Sequence, residues 1–277
     1  MQIRLVAALL LLSLLLASRA DAQFRVEKPA PGEQFHVELG LMFWNPTPGI
    51  QIQTGSLAAL GESEVDFVQE FGIEKERFKE FRAVLKAAKK HKIRITHVQA
   101  EYNAATTLRR TIVFGGQTFP ISVPATADLK WGVWRLGYEW DFVAMDRAVV
   151  GLITELKVNH VSADLVAIGF GSELTDVSAP VPTIGGIARV YPHKNFSLTA
   201  EFTGFKVPGF LAKKITDAID DDADAKVFDL DLYGTVNFGS HVGAQLGYRS
   251  QTADYLFDED AGNLELKGWY FGGLVRF

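Results

Sequence analysis

Cysteine is absent from the 277 residues, so disulfides cannot hold the fold, and stability has to come from burial or from closing a sheet. The same absence excludes a lipid-anchored lipoprotein, which needs a cysteine after its leader. An excess of one charge is also missing. The 28 basic residues against 33 acidic ones make a mildly negative chain with no nucleic-acid footprint. After the first residues, no stretch approaches the roughly 18 consecutive apolar positions of a membrane helix. No glycine-rich phosphate loop, zinc-type spacing or dinucleotide fingerprint occurs, and no cofactor is expected.

What is present begins with a leader. "MQIRLVAALLLLSLLLASRADAQ" carries Arg4, an apolar run from Leu5 to Ala17, and small residues at Ala20 and Ala22. This is the pattern of a cleaved secretory signal over residues 1–22, with an A-x-A site. Residues 23–277 are then expected to form one domain.

Alternation with a period of two dominates that domain. In "EQFHVELGLMFW", Phe35, Val37, Leu39, Leu41 and Phe43 share one face. Phe81, Ala83 and Leu85 oppose Arg82 and Lys86; Phe196, Leu198, Ala200 and Phe202 oppose Ser197, Thr199 and Glu201. Two ladders break phase, near Thr96 and His97 and between Val133 and Trp134, as a bulge or an exit from a membrane would make them do. Connections alternate in length. Short ones lie at 89–92, 141–147, 192–195 and 238–241, and long ones lie between them. Short turns at one end and long loops at the other mark an all-β, antiparallel up-and-down transmembrane β-barrel, with the turns periplasmic and the loops extracellular. Strands are expected at about 92–113, 126–141, 147–160, 181–191, 195–206, 227–237, 242–251 and 264–277. The region 33–72 leaves ten or twelve strands open, and ten is preferred because the 92–141 hairpin already exceeds the membrane's need.

The polar faces collect bulky charges of both signs: Arg82, Lys86, Arg94, Arg135, Lys157, Arg189 and Arg249 against Glu38, Glu139, Glu155, Glu201, Asp229 and Asp231. Sharing one interior, they would nearly neutralise one another and fill a narrow lumen. Aromatics near strand ends (Phe43, Trp44, Trp131, Trp134, Tyr138, Trp140, Tyr191, Trp269 and Tyr270) suit interfacial girdles, some of them serving only to pack.

The terminal "WYFGGLVRF" resembles the C-terminal signal of Gram-negative outer-membrane proteins. "KHKIRITHVQAEY", "WRLGYEWDF", "APVPTIGGIARVY" and "VGAQLGYRS" resemble recurring segments of the outer-membrane β-barrel superfamily near the OmpA-like and OmpW-like proteins. The resemblance implies a location in the outer membrane and contact with its lipid and lipopolysaccharide. It also implies insertion by the barrel-assembly machinery, with Trp269, Phe271, Val275 and Phe277 as the assembly signal, and a monomer. It transfers no catalytic residue.

Candidate chemistry is sparse. "HVSAD" places His160 beside Ser162 and Asp164, a dyad only if the side chains converge. His91, His193 and His241 fall in the short turns; His36 and His97 are expected at the lumen or rim. Asp220, Asp222 and Asp224 have the alternate spacing of a calcium loop, but Ala225 stands where such a loop needs glycine. "FLAKKITDAI" could form a short helix at the barrel mouth. The expectation is a barrel with a charge-filled lumen, acting as a structural or interaction protein or a small-solute channel. The alternatives are a lipid-modifying or proteolytic enzyme on the rim, and third, a soluble periplasmic barrel.

Overall fold

In the computed structural model, residues 28–53, 65–114, 117–167, 169, 173–206, 223–257 and 260–277 are described. The leader at 1–22, the helix expected at 210–219, and Asp220 and Asp222 lie outside them. The described residues form ten long strands: β1 (Val37–Gln53), β2 (Phe78–Ala88), β3 (His91–Thr107), β4 (Pro124–Ala144), β5 (Ala148–Ala167), β6 (Glu173–His193), β7 (Phe196–Lys206), β8 (Ala223–Phe238), β9 (Val242–Phe257) and β10 (Asp260–Arg276). Each pairs antiparallel with its chain neighbours. β10 returns to β1, from Glu38 opposite Arg276 to Gln53 opposite Ala261, and closes the barrel. Ten strands, rather than twelve, is the observed number. Backbone bonds from the amides of His36 and Val37 to the Phe277 carbonyl, and from the Phe277 amide to the Val37 carbonyl, finish the seam.

Apolar side chains point outward around the lower half of the barrel. Leu41, Phe81, Leu85, Ile93, Ile95, Leu136, Leu152, Leu198, Phe202, Phe228, Leu246, Phe271 and Val275 are all exposed. A soluble barrel turns such residues inward; a band of them outside is what hydrocarbon requires. No helix among the described residues is long and apolar enough to cross a membrane, so any crossing is made by strands.

The two phase breaks have one cause, and it is not a bulge. β3 and β4 pair without a register shift from His91 opposite Trp140 to Thr107 opposite Pro124. Even positions of β3, and odd positions of β4 as far as Asp141, face inward. What changes is chemistry. In the lower half the inward residues are Lys92, Arg94, Arg135 and Glu139, and the outward ones are Ile93, Ile95, Trp134 and Leu136. In the upper half the inward residues are Val98, Ala100, Tyr102, Leu129, Trp131 and Val133, and the outward ones include Gln99, Glu101 and Lys130. Below, lipid takes the apolar side; above, water takes the polar side and the apolar side must turn in.

A membrane band needs about 9–11 residues per strand. β2 and β7 have 11 residues each, whereas β3 has 17 and β4 has 21. The long strands therefore project as two wings, β3–β6 and β8–β10 with β1, separated where β2 begins and where the pairing of β6 with β7 ends. On the β7 side, pairing with β6 ends at Ile184 opposite Gly204. The next outward-facing position along β6 is Pro182, which has no amide hydrogen to continue the ladder; Pro180 repeats the block.

Between the wings lies a soluble-type core. A two-residue strand, Val65–Asp66, pairs with β1 and leads into α1 (Phe67–Phe71). The Asp66 carboxylate caps α1, accepting from the Val68 and Gln69 amides at 3.0 and 2.9 Å, and Gly72 ends it at φ 68°. Phe67 and Phe71, one turn apart, are buried with Trp44, Phe78, Tyr102, Leu108, Ile112, Phe119, Leu129, Trp131 and Leu266. Ile112 and Phe119 belong to a small hairpin, Ile112–Phe114 with Gln117–Phe119, where one continuous strand to residue 113 was expected.

The expected aromatic girdle divides accordingly. Trp134, Tyr138, Trp140, Trp269 and Phe43 face outward. Trp44, Trp131, Tyr191 and Tyr270 are buried inside, because they occupy inward positions where no lipid reaches. His97 also departs from expectation: it lies on the outer wall, stacked on Trp134 at 4.1 Å between ring centroids.

Candidate functional site

The lumen is closed at three heights. At the mouth bounded by the short turns, residues 29–35 fold back into the barrel. Pro31–Glu33 make one 3-10 turn, started by a proline that needs no amide partner. The turn carries Glu33 inward, where Tyr191 Oη donates to its carboxylate at 3.0 Å, Arg189 donates to the same oxygen, and Lys92 and Lys86 stand 3.5 and 3.7 Å away. The Lys86 ammonium also donates to the Glu33 carbonyl at 2.8 Å. Gly32 has to be small: a Cβ there would meet the Tyr191 hydroxyl at 2.8 Å. Burial alone would raise the Glu33 carboxyl pKa, but Lys92, Arg189 and Lys86 together hold it well below the usual carboxylate range.

Above the plug the lumen is filled by groups of ion pairs. Lys92 pairs with Glu139 at 2.8 Å and with Asp141 at 2.9 Å. Arg94 joins Glu139 to Glu201, at 3.2 and 2.6 Å. Glu80, fully buried, is shared by Arg82 and Arg249, which both reach Asp231 as well, at 3.3 and 2.7 Å. Asp229 receives Arg135 at 2.9 Å and Lys157 at 2.6 Å, with Glu155 3.7 Å from Lys157. Arg276 closes on Glu38 beside the mouth. Tyr233 and Tyr270 donate to Glu201 and Asp231.

All thirteen lumen-lining candidates read from the sequence, Glu38, Arg82, Lys86, Arg94, Arg135, Glu139, Glu155, Lys157, Arg189, Glu201, Asp229, Asp231 and Arg249, have inward side chains held in these ion pairs, which fall into four groups. Four participants went unread: Glu33, Glu80, Lys92 and Asp141; Arg276 stands on the inward face that alternation gives the last strand. Glu80 shares the parity of Arg82, and Lys92 that of Arg94, so alternation extended by one step would have found both. With them the lumen balances, nine cations against nine carboxylates.

The third closure is the apolar core. Its floor is aromatic: the Arg249 guanidinium lies 5.4 Å from the Trp44 ring and 5.0 Å from the Tyr270 ring, and Arg82 lies 5.1 Å from Tyr270. Between the closures remain a cavity of about 50 Å³ bordered by Glu38, Arg94 and Arg276, and one of about 30 Å³ bordered by Glu155, Thr203 and Arg249. Each has room for a few waters at roughly 10–15 Å³ apiece.

Other candidates separate. His160, Ser162 and Asp164 alternate along the outer face of β5. Asp224 falls in β8, but its side chain lies outside what is described. No group of three or more metal-type ligands occurs among the described residues. Trp269, Phe271, Val275 and Phe277 face outward in one row on the strand that closes the barrel.

These features define a closed transmembrane-type β-barrel with a sealed interior, and the fold is that of the outer-membrane β-barrels. No protein-family model matches the sequence, and no curated protein matches it. Among solved structures, it is similar to the outer membrane protease OmpT from Escherichia coli, with TM-score 0.56 and 7% identity over 87% of this chain and 96% of that one. Ail, the attachment invasion locus protein of Yersinia pestis, gives TM-score 0.37 and 11% identity over 87% and 99%. OprG from Pseudomonas aeruginosa gives 0.34 and 11% over 91% and 99%. At 7% identity the likeness to OmpT concerns the fold.

Proposed function

We propose that the protein is a sealed barrel of the Gram-negative outer membrane, a structural or interaction protein whose two wings present surface outside the cell. The observation that carries this reading is the threefold obstruction of the lumen by the Glu33 turn, the balanced ion pairs and the apolar core. A solute would have to break buried ion pairs, each costing about 3–5 kcal/mol when one partner is lost, and then cross a packed apolar core. That disfavours the channel. The enzyme is disfavoured because His160, Ser162 and Asp164 line one outer face of β5 instead of converging in a cleft. The test is single-channel recording of the refolded protein in a planar bilayer. Silence is expected; steady ohmic steps would overturn the reading. Heat-modifiable migration on a denaturing gel, with recovery in the outer-membrane fraction, tests the location.

A further inference from the structure

On the outer wall just above the apolar band, the first charged residue is a lysine on five strands: Lys79 on β2, Lys130 on β4, Lys206 on β7, Lys226 on β8 and Lys267 on β10. Two are offset by carboxylates, Lys130 by Glu101 at 3.7 Å and Lys267 by Glu265. Lys206 and Lys226 differ. They are direct cross-strand partners on the same face, where opposed side chains start about 4.5–5.5 Å apart and like charges repel. Neither has a carboxylate partner among the described side chains; that of Asp224, the next position on the same face of β8, lies outside them. On the β6 flank stands Pro182. On the β9 flank, Asp254 is opposite Lys226, but its Oδ1 accepts from the Asn263 amide. Below the pair, the Phe228 ring covers Gly204, where a Cβ would meet it at 3.4 Å, and Phe202 is exposed to hydrocarbon beneath.

The geometry points to a lipid site: Lys206 and Lys226 together bind a phosphate of the acylated, phosphorylated glycolipid of the outer leaflet, the lipid A part of lipopolysaccharide, with an acyl chain along Phe228 and Phe202. Two adjacent ammonium groups at headgroup height match a phosphate monoester of nearly two charges better than a phosphodiester of one. The aromatic shelf lies on the hydrocarbon side, where the chain has to go. This rests on the outer-membrane reading above.

The test uses the full-length folded protein in detergent and measures lipid binding by native mass spectrometry. The probes are bis-phosphorylated lipid A, the same glycolipid dephosphorylated, and phosphatidylglycerol. Lys206→Ala with Lys226→Ala should weaken lipid A binding by about thirtyfold, on the scale of one lysine near an anionic surface taken twice. The dephosphorylated probe should bind the native and Ala-substituted proteins alike. Lys206→Arg with Lys226→Arg should retain binding and guards against a folding defect. Unchanged affinity in the Ala pair, an equal loss in Lys130→Ala with Lys267→Ala, or equally strong phosphatidylglycerol binding would overturn the site. Failure of the native protein to migrate as a folded barrel would instead overturn the reading beneath it.

Discussion

Glu80 sits with no solvent exposure between two guanidiniums. Removing it strands Arg82 and Arg249 together, so Glu80→Ala should lower stability by about 3–5 kcal/mol. Urea titration of the barrel in lipid vesicles measures this. Glu33 behaves differently because the plug is anchored only by its own contacts. Its folded pKa is depressed relative to 4.5. Its stabilisation is therefore complete above that value and declines as pH falls further through the folded one. The groups facing it are Lys86, Lys92, Arg189 and Tyr191. Protease access to residues 28–35 should stay low at neutral pH and rise only in strong acid, whereas Glu33→Gln should show access at every pH. Much of this was legible residue by residue: bulky charges at alternate positions had to share a face. Glu33 was not, since its partners lie on β2, β3 and β6, and Asp141 was hidden in a stretch, 141–147, that reads locally as a turn.

At the scale of elements, the closing strand bears the clearest prediction. Phe277 is 69% exposed on the outer wall, while its backbone makes the last bonds to residues 36 and 37. Deleting it removes those bonds and the outermost lipid-facing ring of the row with Trp269, Phe271 and Val275. Assembly into the membrane in cells should fall severely, while the residual folded fraction keeps near-native urea resistance; pulse-chase with heat-modifiable gels separates the two. Strand existence and turn positions were readable because lipid on one side enforces strict alternation. α1 was missed although Asp66 and Gly72 bracket it, because five residues hold too few turns for a helical period to emerge. The end of the β6–β7 ladder lies beside Pro182, across a strand pair that no local window contains.

For the whole molecule, the seals stand in series. Deleting residues 29–34 should expose the ion pairs from the short-turn side yet leave the barrel electrically silent, because the core around Trp44, Leu129 and Trp131 still blocks the outer half. Planar-bilayer recording checks this, and an open conductance in that deletion would show that the plug alone keeps the barrel shut.

The swap of polar and apolar sides along β3 and β4 also fixes how the protein sits. A thicker bilayer would have to cover Gln99, Glu101 and Lys130 while their inward neighbours stay packed. A thinner one would leave Ile95 and Leu136 in water with charges at their backs. Neither strand can slide to compensate, since its far side is already committed to another solvent. The barrel is thus matched to one hydrophobic thickness, and a bilayer of other depth would carry a mismatch cost on the order of a fraction of a kcal/mol per Å.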